Sequence, residues 1–186
     1  MGDWYETVVD PVVDANEAPV LAERVVAELV ALGFVKPERT DCALRDAGYP
    51  PAEGLLQYLK APDDMVMHLR TNGLEVEARR SVHVTGNLEW ISCPACGAPT
   101  KDLPRLRWQE AVGEWYEGGE GTLTCPACLR EASVAAWVHE PTCGFGNLSF
   151  TFWNWPPFTA IYWTKTPRQF IEAATGHGCA LVSGKL

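Results

Sequence analysis

The sequence predicts an α+β fold: a mostly antiparallel sheet, with an N-terminal helix packed on it and a short C-terminal helix. Three observations carry that expectation. Apolar residues recur every three or four positions from Val20 to Leu32, residues 148–152 alternate apolar and polar with a period of two, and Thr166-Pro167-Arg168-Gln169 reads as a helix start. A chain of 186 residues suits one domain, 1–186, with a helical part at 1–62 and a β-rich part at 63–186.

Residues 3–13 read as an extended segment ended by Asp10-Pro11. The first helix is expected over about 18–32. Pro19 sits in its first turn, where a missing N–H costs nothing, and Leu21, Val25, Leu29 and Leu32 form its inner stripe. Glu23, Arg24 and Glu28 fall on the other side, and Gly33 supplies the stop. Thr40 is placed to cap a short helix through Ala47, and another is expected over 52–60, with Leu55, Leu56 and Leu59 facing the first helix. Asn72-Gly73 lies between two alternating runs and predicts a two-residue hairpin turn. That register sets Leu69 opposite Val76 and Met67 opposite Ala78, with Arg70 and His68 facing Glu75 and Glu77.

Ser81–Thr85 reads as a strand, followed by a break at Gly86-Asn87. Leu88–Ser92 and Gly121–Thr124 read as strands that run straight into cysteines, 104–117 as irregular or weakly helical, and 133–139 as a strand. From Leu148 a half-buried strand becomes apolar on both sides at Trp153 and Trp155, until Pro156-Pro157 ends it because neither residue can donate to a ladder. A capping box then opens a helix over 167–175, buried through Phe170, Ile171 and Ala174 and ended by Gly176, and Cys179–Val182 fits a last strand.

The strongest chemical signal is the pair of motifs Cys93-Pro94-Ala95-Cys96 and Cys125-Pro126-Ala127-Cys128, with 28 residues between them. Each Cys-x-x-Cys can turn two sulfurs toward one ion, and two such turns make the tetrahedron of a four-thiolate zinc site. The motifs resemble the zinc ribbon superfamily over residues 88–132. That resemblance implies a four-cysteine ribbon embedded in the sheet, with one structural Zn2+ on Cys93, Cys96, Cys125 and Cys128. Gly97 fits the glycine that follows a knuckle, whereas Leu129 departs from it. A full set of four cysteine ligands leaves no open position for substrate, so its metal is structural. Cys42, Cys143 and Cys179 are left over, and an odd cysteine count without a secretory leader points to a reducing cytoplasm. No run of 18 apolar residues suggests a membrane span.

Charge narrows the function. There are 24 acidic against 15 basic side chains, for a net charge of −9. Between residues 89 and 140, Lys101, Arg105, Arg107 and Arg130 stand against eight acids, which argues against a phosphate-binding face. A nucleic-acid-associated zinc ribbon is therefore the alternative rather than the first reading. An enzyme is the second alternative, using His139 (four residues before Cys143) or His177 between two glycines, but no complete catalytic set accompanies either. What remains is a non-catalytic, zinc-stabilised protein-binding module, one form of which is an acidic antagonist of a basic partner. Trp153, Trp155 and Phe158 have two roles open to them: contact residues for that partner, or core that closes the sheet.

Overall fold

The structure, a computed structural model, describes residues 2–61, 64–86 and 88–186 and is an α+β fold of helices packed on antiparallel sheets. In chain order its elements are β1 (Trp4–Asp10), α1 (Ala18–Ala31), a 3-10 turn (Glu53–Tyr58), α2 (Met65–His68), β2 (Leu74–Glu77), β3 (Ser81–His83), β4 (Trp90–Ser92), β5 (Pro99–Thr100), α3 (Leu103–Leu106) and α4 (Trp108–Tyr116). There follow β6 (Thr122–Thr124), β7 (Glu131–Ser133), a second 3-10 turn (Val134–Ala136), β8 (Val138–Glu140), β9 (Gly144–Gly146), β10 (Leu148–Trp153), α5 (Pro167–Thr175) and β11 (Ala180–Lys185). The boundary expected between residues 62 and 63, and Asn87 of the expected break, lie outside the described residues.

The main sheet has the order β11-β1-β10-β2, antiparallel throughout. Its register sets Val8 beside Phe150 and Leu181, and Phe150 beside Val76, which makes the centre of one face apolar; Glu6, on the same face, is buried and accepts from the Ser183 hydroxyl at 2.6 Å. That face packs on α1 and α5 in the larger of two cores. The inner stripe of α1 is buried as expected, through Leu21, Val25 and Leu29. Gly33 ends the helix with φ 73°, letting the Phe34 N–H reach the Leu29 carbonyl at 2.9 Å and the Gly33 N–H reach that of Val30. Those two bonds form a Schellman stop. For α5 the expected capping box is present: the Thr166 hydroxyl accepts from the Gln169 N–H, and the Gln169 side chain accepts from the Thr166 N–H at 2.9 Å.

The tryptophan-rich segment resolves as core. Trp153 and Trp155 are each 4 % exposed and Phe158 8 %, so none of the three can anchor a partner from the surface. Burial of an indole requires a partner for its N–H, and every one of these finds it. Trp153 Nε1 donates to Glu75 Oε2 at 3.0 Å, Trp155 Nε1 to the Asn72 carbonyl at 2.7 Å, and the nearby Trp163 Nε1 to the Pro156 carbonyl at 3.1 Å. Phe34 stacks on Tyr58 at 4.6 Å and lies within 6.4 Å of Trp155 and Trp163, so the rings close one aromatic cluster.

The Asn72-Gly73 hairpin does not form. Met65–His68 is a helical turn, and β2 pairs with β10 rather than with the residues before it. Asn72 is buried: its Nδ2 donates to the Val66 carbonyl at 2.7 Å, while the Asn72 and Gly73 N–H groups both donate to the Cys42 carbonyl. Neither residue has a positive φ, which a tight hairpin turn of the expected type needs. Glycine is required for a different reason, since a Cβ at Gly73 would fall 2.2 Å from Cys42 Sγ. His68 accordingly meets Asp64 on the surface, not Glu77. The helix expected over 40–47 is instead a loop clasped by a Thr40–Gly48 bridge. The expected strand over 133–139 is split by a 3-10 turn, and 104–117 is more ordered than its glycines suggest.

The second core gathers Ile91, Ala111, Leu123, Val134, Trp137 and Phe145 around the cysteine motifs. It joins the main sheet through β9, which pairs with β3 and passes directly over β1. A Cβ at Gly144 would come within 2.5 Å of Val9 Cγ2, so glycine is what lets the two layers touch.

Candidate metal centre

Two hairpins bring the cysteines together. β4 enters the first Cys-x-x-Cys and β5 leaves it, paired at Ile91–Thr100 and Ser92–Pro99. β6 enters the second and β7 leaves it, paired from Thr122–Ser133 to Thr124–Glu131. In the first knuckle the Gly97 N–H donates to the Cys93 carbonyl at 2.8 Å, and in the second the Leu129 N–H donates to the Cys125 carbonyl at 2.9 Å. The knuckles are therefore the same turn made twice, α3 and α4 filling the excursion between them.

The four sulfurs converge within 4.8 Å of one another. Cys93 Sγ lies 3.9 Å from Cys128 Sγ, and Cys96 Sγ 3.7 Å from Cys125 Sγ. Thiolates about 2.3 Å from a tetrahedral ion stand about 3.8 Å apart, whereas a disulfide needs about 2.05 Å. The donor set and its spacing thus fit a shared metal ion. Backbone N–H groups supply the outer contacts, as where Ala95 N donates to Cys93 Sγ at 3.4 Å. The thiols differ in acidity. The Cys128 backbone N–H does most to hold Cys125 down to about 7. A backbone bond from Ala98 favours the Cys96 thiolate, but the sulfurs of Cys128, Cys125 and Cys93 and burial together push that thiol up to about 12. Loading a metal on all four expels the protons they share.

Leu129 explains the departure from glycine in the second motif: it adopts the left-handed conformation anyway, φ 59° against 71° for Gly97. Its side chain is 76 % exposed, so nothing in its packing offsets the backbone strain. Leu129→Gly is expected to raise stability, by about 1 kcal/mol at most once the extra freedom of glycine in the unfolded chain is counted. Chemical denaturation of the metal-loaded protein would show it, and a lower midpoint would mean that the leucine side chain contributes unseen packing.

The catalytic candidates are absorbed by structure. His139 is 7 % exposed, and its Nε2 accepts from Trp108 Nε1 at 3.2 Å. Burial lowers its pKa from 6.5 to about 4. Cys143 is buried, its thiol is pushed up to about 12 by burial, and its Sγ points to the Pro141 carbonyl at 3.8 Å, so no His–Cys pair exists. His177 Nδ1 meets the buried Asp10 Oδ2 at 2.8 Å, while Asp10 Oδ1 accepts from the Val12 and Val13 N–H groups. Cys179 lies beside that pair, but burial and then the Asp10 and Glu172 charges push its thiol up to about 12. His177–Asp10 is a tie between the end of α5 and the end of β1, with no nucleophile.

The buried neutral His139 has a thermodynamic signature. Below pH 6.5 the unfolded chain takes up a proton that the folded protein refuses until about pH 4, so stability falls across that window and the loss then levels off. The shift corresponds to about 3 kcal/mol at its limit. Burial lowers His83 in the same direction. His139→Gln, whose amide oxygen can still accept from Trp108, is expected to flatten the decline in urea midpoint between pH 6.5 and 4, and an unchanged slope would exclude His139 as its source.

One constellation was not legible in the sequence. On its second face the main sheet presents Tyr5, Thr7, Thr151, Trp153, Glu75 and Glu77, and β3 crosses above them with His83, leaving a cleft of about 190 Å3. The alternation in β2 and β10 sets Glu75, Glu77, Ser149 and Thr151 on one face of their strands, but β1 has no such pattern and the sheet order that assembles the three is not local information. Comparison of the chain with family models, with curated proteins and with solved structures gave no match. No helix among the described residues is long and apolar enough to cross a membrane.

Proposed function

We propose that Cys93, Cys96, Cys125 and Cys128 hold one zinc ion with a structural role, and that the protein is a non-catalytic, cytoplasmic binding module for a basic partner. The observation that carries the zinc assignment is the closure of four thiol sulfurs to tetrahedral spacing at the mouths of two matching knuckles. Soft thiolates in that geometry select zinc or iron over harder ions, and four protein ligands leave no site for substrate. Burial and pairing of His139, Cys143, His177 and Cys179 support the absence of catalysis.

The partner reading rests on charge. Glu110, Glu114, Glu117 and Glu120 are exposed along α4 and the loop after it, and Arg107, a cation needed for the nucleic-acid alternative, is paired with Glu110. Such a face repels phosphates and steers cationic surfaces. The test is whether metal and fold leave together. Purified protein should contain one zinc per chain, and chelation should abolish the cooperative unfolding of the cysteine core. A metal-free protein that kept its fold but lost a measurable activity would replace this reading with a catalytic one.

A further inference from the structure

The cleft between the main sheet and β3 holds opposite charges that the protein itself does not satisfy. Glu75 is 5 % exposed, yet its carboxylate has one hydrogen bond among the described residues, from the neutral indole of Trp153, and no ion pair. An ionised carboxylate can accept about four, so one side of this group is left for something in the cleft. Burial raises its pKa, against the Trp153 bond and the Arg45 charge, which lower it. Arg45 lines the same cleft, exposed and with no carboxylate within 4.0 Å among the described residues. The floor adds the Thr7 and Thr151 hydroxyls, 3.0 Å apart, and the wall adds Tyr5 against Trp153, edge to face at 5.7 Å.

Two properties restrict the occupant. At about 190 Å3 the space is below the range of about 300–1,000 Å3 typical of drug-sized ligands, so the occupant is small. A metal ion is disfavoured, because Glu75, Glu77 and His83 do not bring ligand atoms to one point as the cysteines do. Glu77 is largely engaged, its Oε1 by Arg79 at 2.7 Å and its Oε2 3.7 Å from His83, while His83 Nε2 faces the Ser81 and Ser149 hydroxyls at 3.1 Å. The groups left to an occupant are one buried anion, one rim cation, the remaining lone pairs of two hydroxyls that already bond each other, and two aromatic rings.

We propose that this cleft binds a small zwitterion of the α-amino-acid type, with its ammonium on Glu75 and the Thr7–Thr151 hydroxyls, its carboxylate on Arg45, and its side chain against Tyr5 and Trp153. An ammonium has three donors and no acceptor, which matches a carboxylate oxygen and two hydroxyl oxygens. Arginine is suited to a planar carboxylate through its fork of donors. The aromatic wall gives a hydrophobic side chain a surface and the ammonium a weaker cation–π contact. This site stands apart from the cysteine centre and does not depend on the partner reading.

The experiment is isothermal titration of the full, metal-loaded chain with three probes of one body: L-phenylalanine, phenethylamine, which lacks the carboxylate, and N-acetyl-L-phenylalanine, which lacks the ammonium. L-Leucine serves as the aliphatic counterpart. L-Phenylalanine or L-leucine is expected to bind, N-acetylation to weaken binding about tenfold or more, and Glu75→Gln to do the same while keeping an acceptor for Trp153. Arg45→Ala, at an exposed position that folding does not need, should weaken the amino acid about tenfold and leave phenethylamine unchanged. Equal binding of the N-acetyl compound, equal binding of the amine by the wild-type protein, or no binding of any probe at about 10 mM would each overturn the assignment.

Discussion

A Cys125→Ser variant is expected to lose the metal and, with it, the ordered second core. Cys125 is buried beside Leu123 and Val134, and serine would leave three thiolates and a weak alcohol ligand in a site built for four. Structural zinc sites contribute apparent binding energies of about 10–16 kcal/mol in small peptides, comparable to or larger than the roughly 5–15 kcal/mol by which whole domains are stable. The second core is small and rests on two short hairpins, so it has little reserve without the ion. The tryptophans at 108, 115 and 137 pack in or against this core, and near-ultraviolet circular dichroism should report its collapse. Cys143→Ser provides the control: also buried, but outside the four-cysteine cluster, it should keep one zinc per chain and cost about 1–3 kcal/mol for burying a hydroxyl. If Cys125→Ser retained zinc at wild-type affinity, the four-ligand centre would be wrong.

The second large effect is expected at Trp155. Trp155→Ala should cost about 3–5 kcal/mol in denaturant unfolding. Its ring packs edge to face on Phe152 at 4.9 Å and stacks near Trp163 at 6.2 Å, and its N–H is one of the bonds that hold the Asn72 loop. Removing the indole therefore opens a cavity and frees a buried carbonyl together. A surface anchor would behave otherwise, since substitutions there change stability by about 0.5 kcal/mol or less. A Trp155→Ala protein with an unchanged midpoint would return this residue to the surface role that its burial denies it.

How much of this was readable from the chain depends on how local each signal is. The helix at 18–31 and the capping box at Thr166–Gln169 are local, because periodicity, a proline and a stopping glycine lie within a few turns, and both formed as expected. The candidate metal site was local twice over, each knuckle being a four-residue turn, and only the meeting of the two required the fold. Asn72-Gly73 failed because a turn dipeptide says how tightly a chain can bend, not whether bending is what the site needs. Here the glycine gives room for Cys42, and the asparagine amide braces α2. Trp153, Trp155 and Phe158 were ambiguous for a related reason. A run that is apolar on both faces suits either a doubly covered strand or an exposed anchor, and only α1, α5 and β3 decide which. The cleft with Glu75 and Arg45 was invisible, since its residues come from strands and loops spread along the chain from Tyr5 to Leu186 and share no motif.

A closed, four-thiolate structural zinc centre has its own signature in X-ray absorption at the metal edge of the purified protein. The expected first shell is four sulfurs at about 2.3 Å around one zinc, with no oxygen or nitrogen neighbour. A shell of three sulfurs and a light atom would contradict it, because the open position needed for chemistry would then exist.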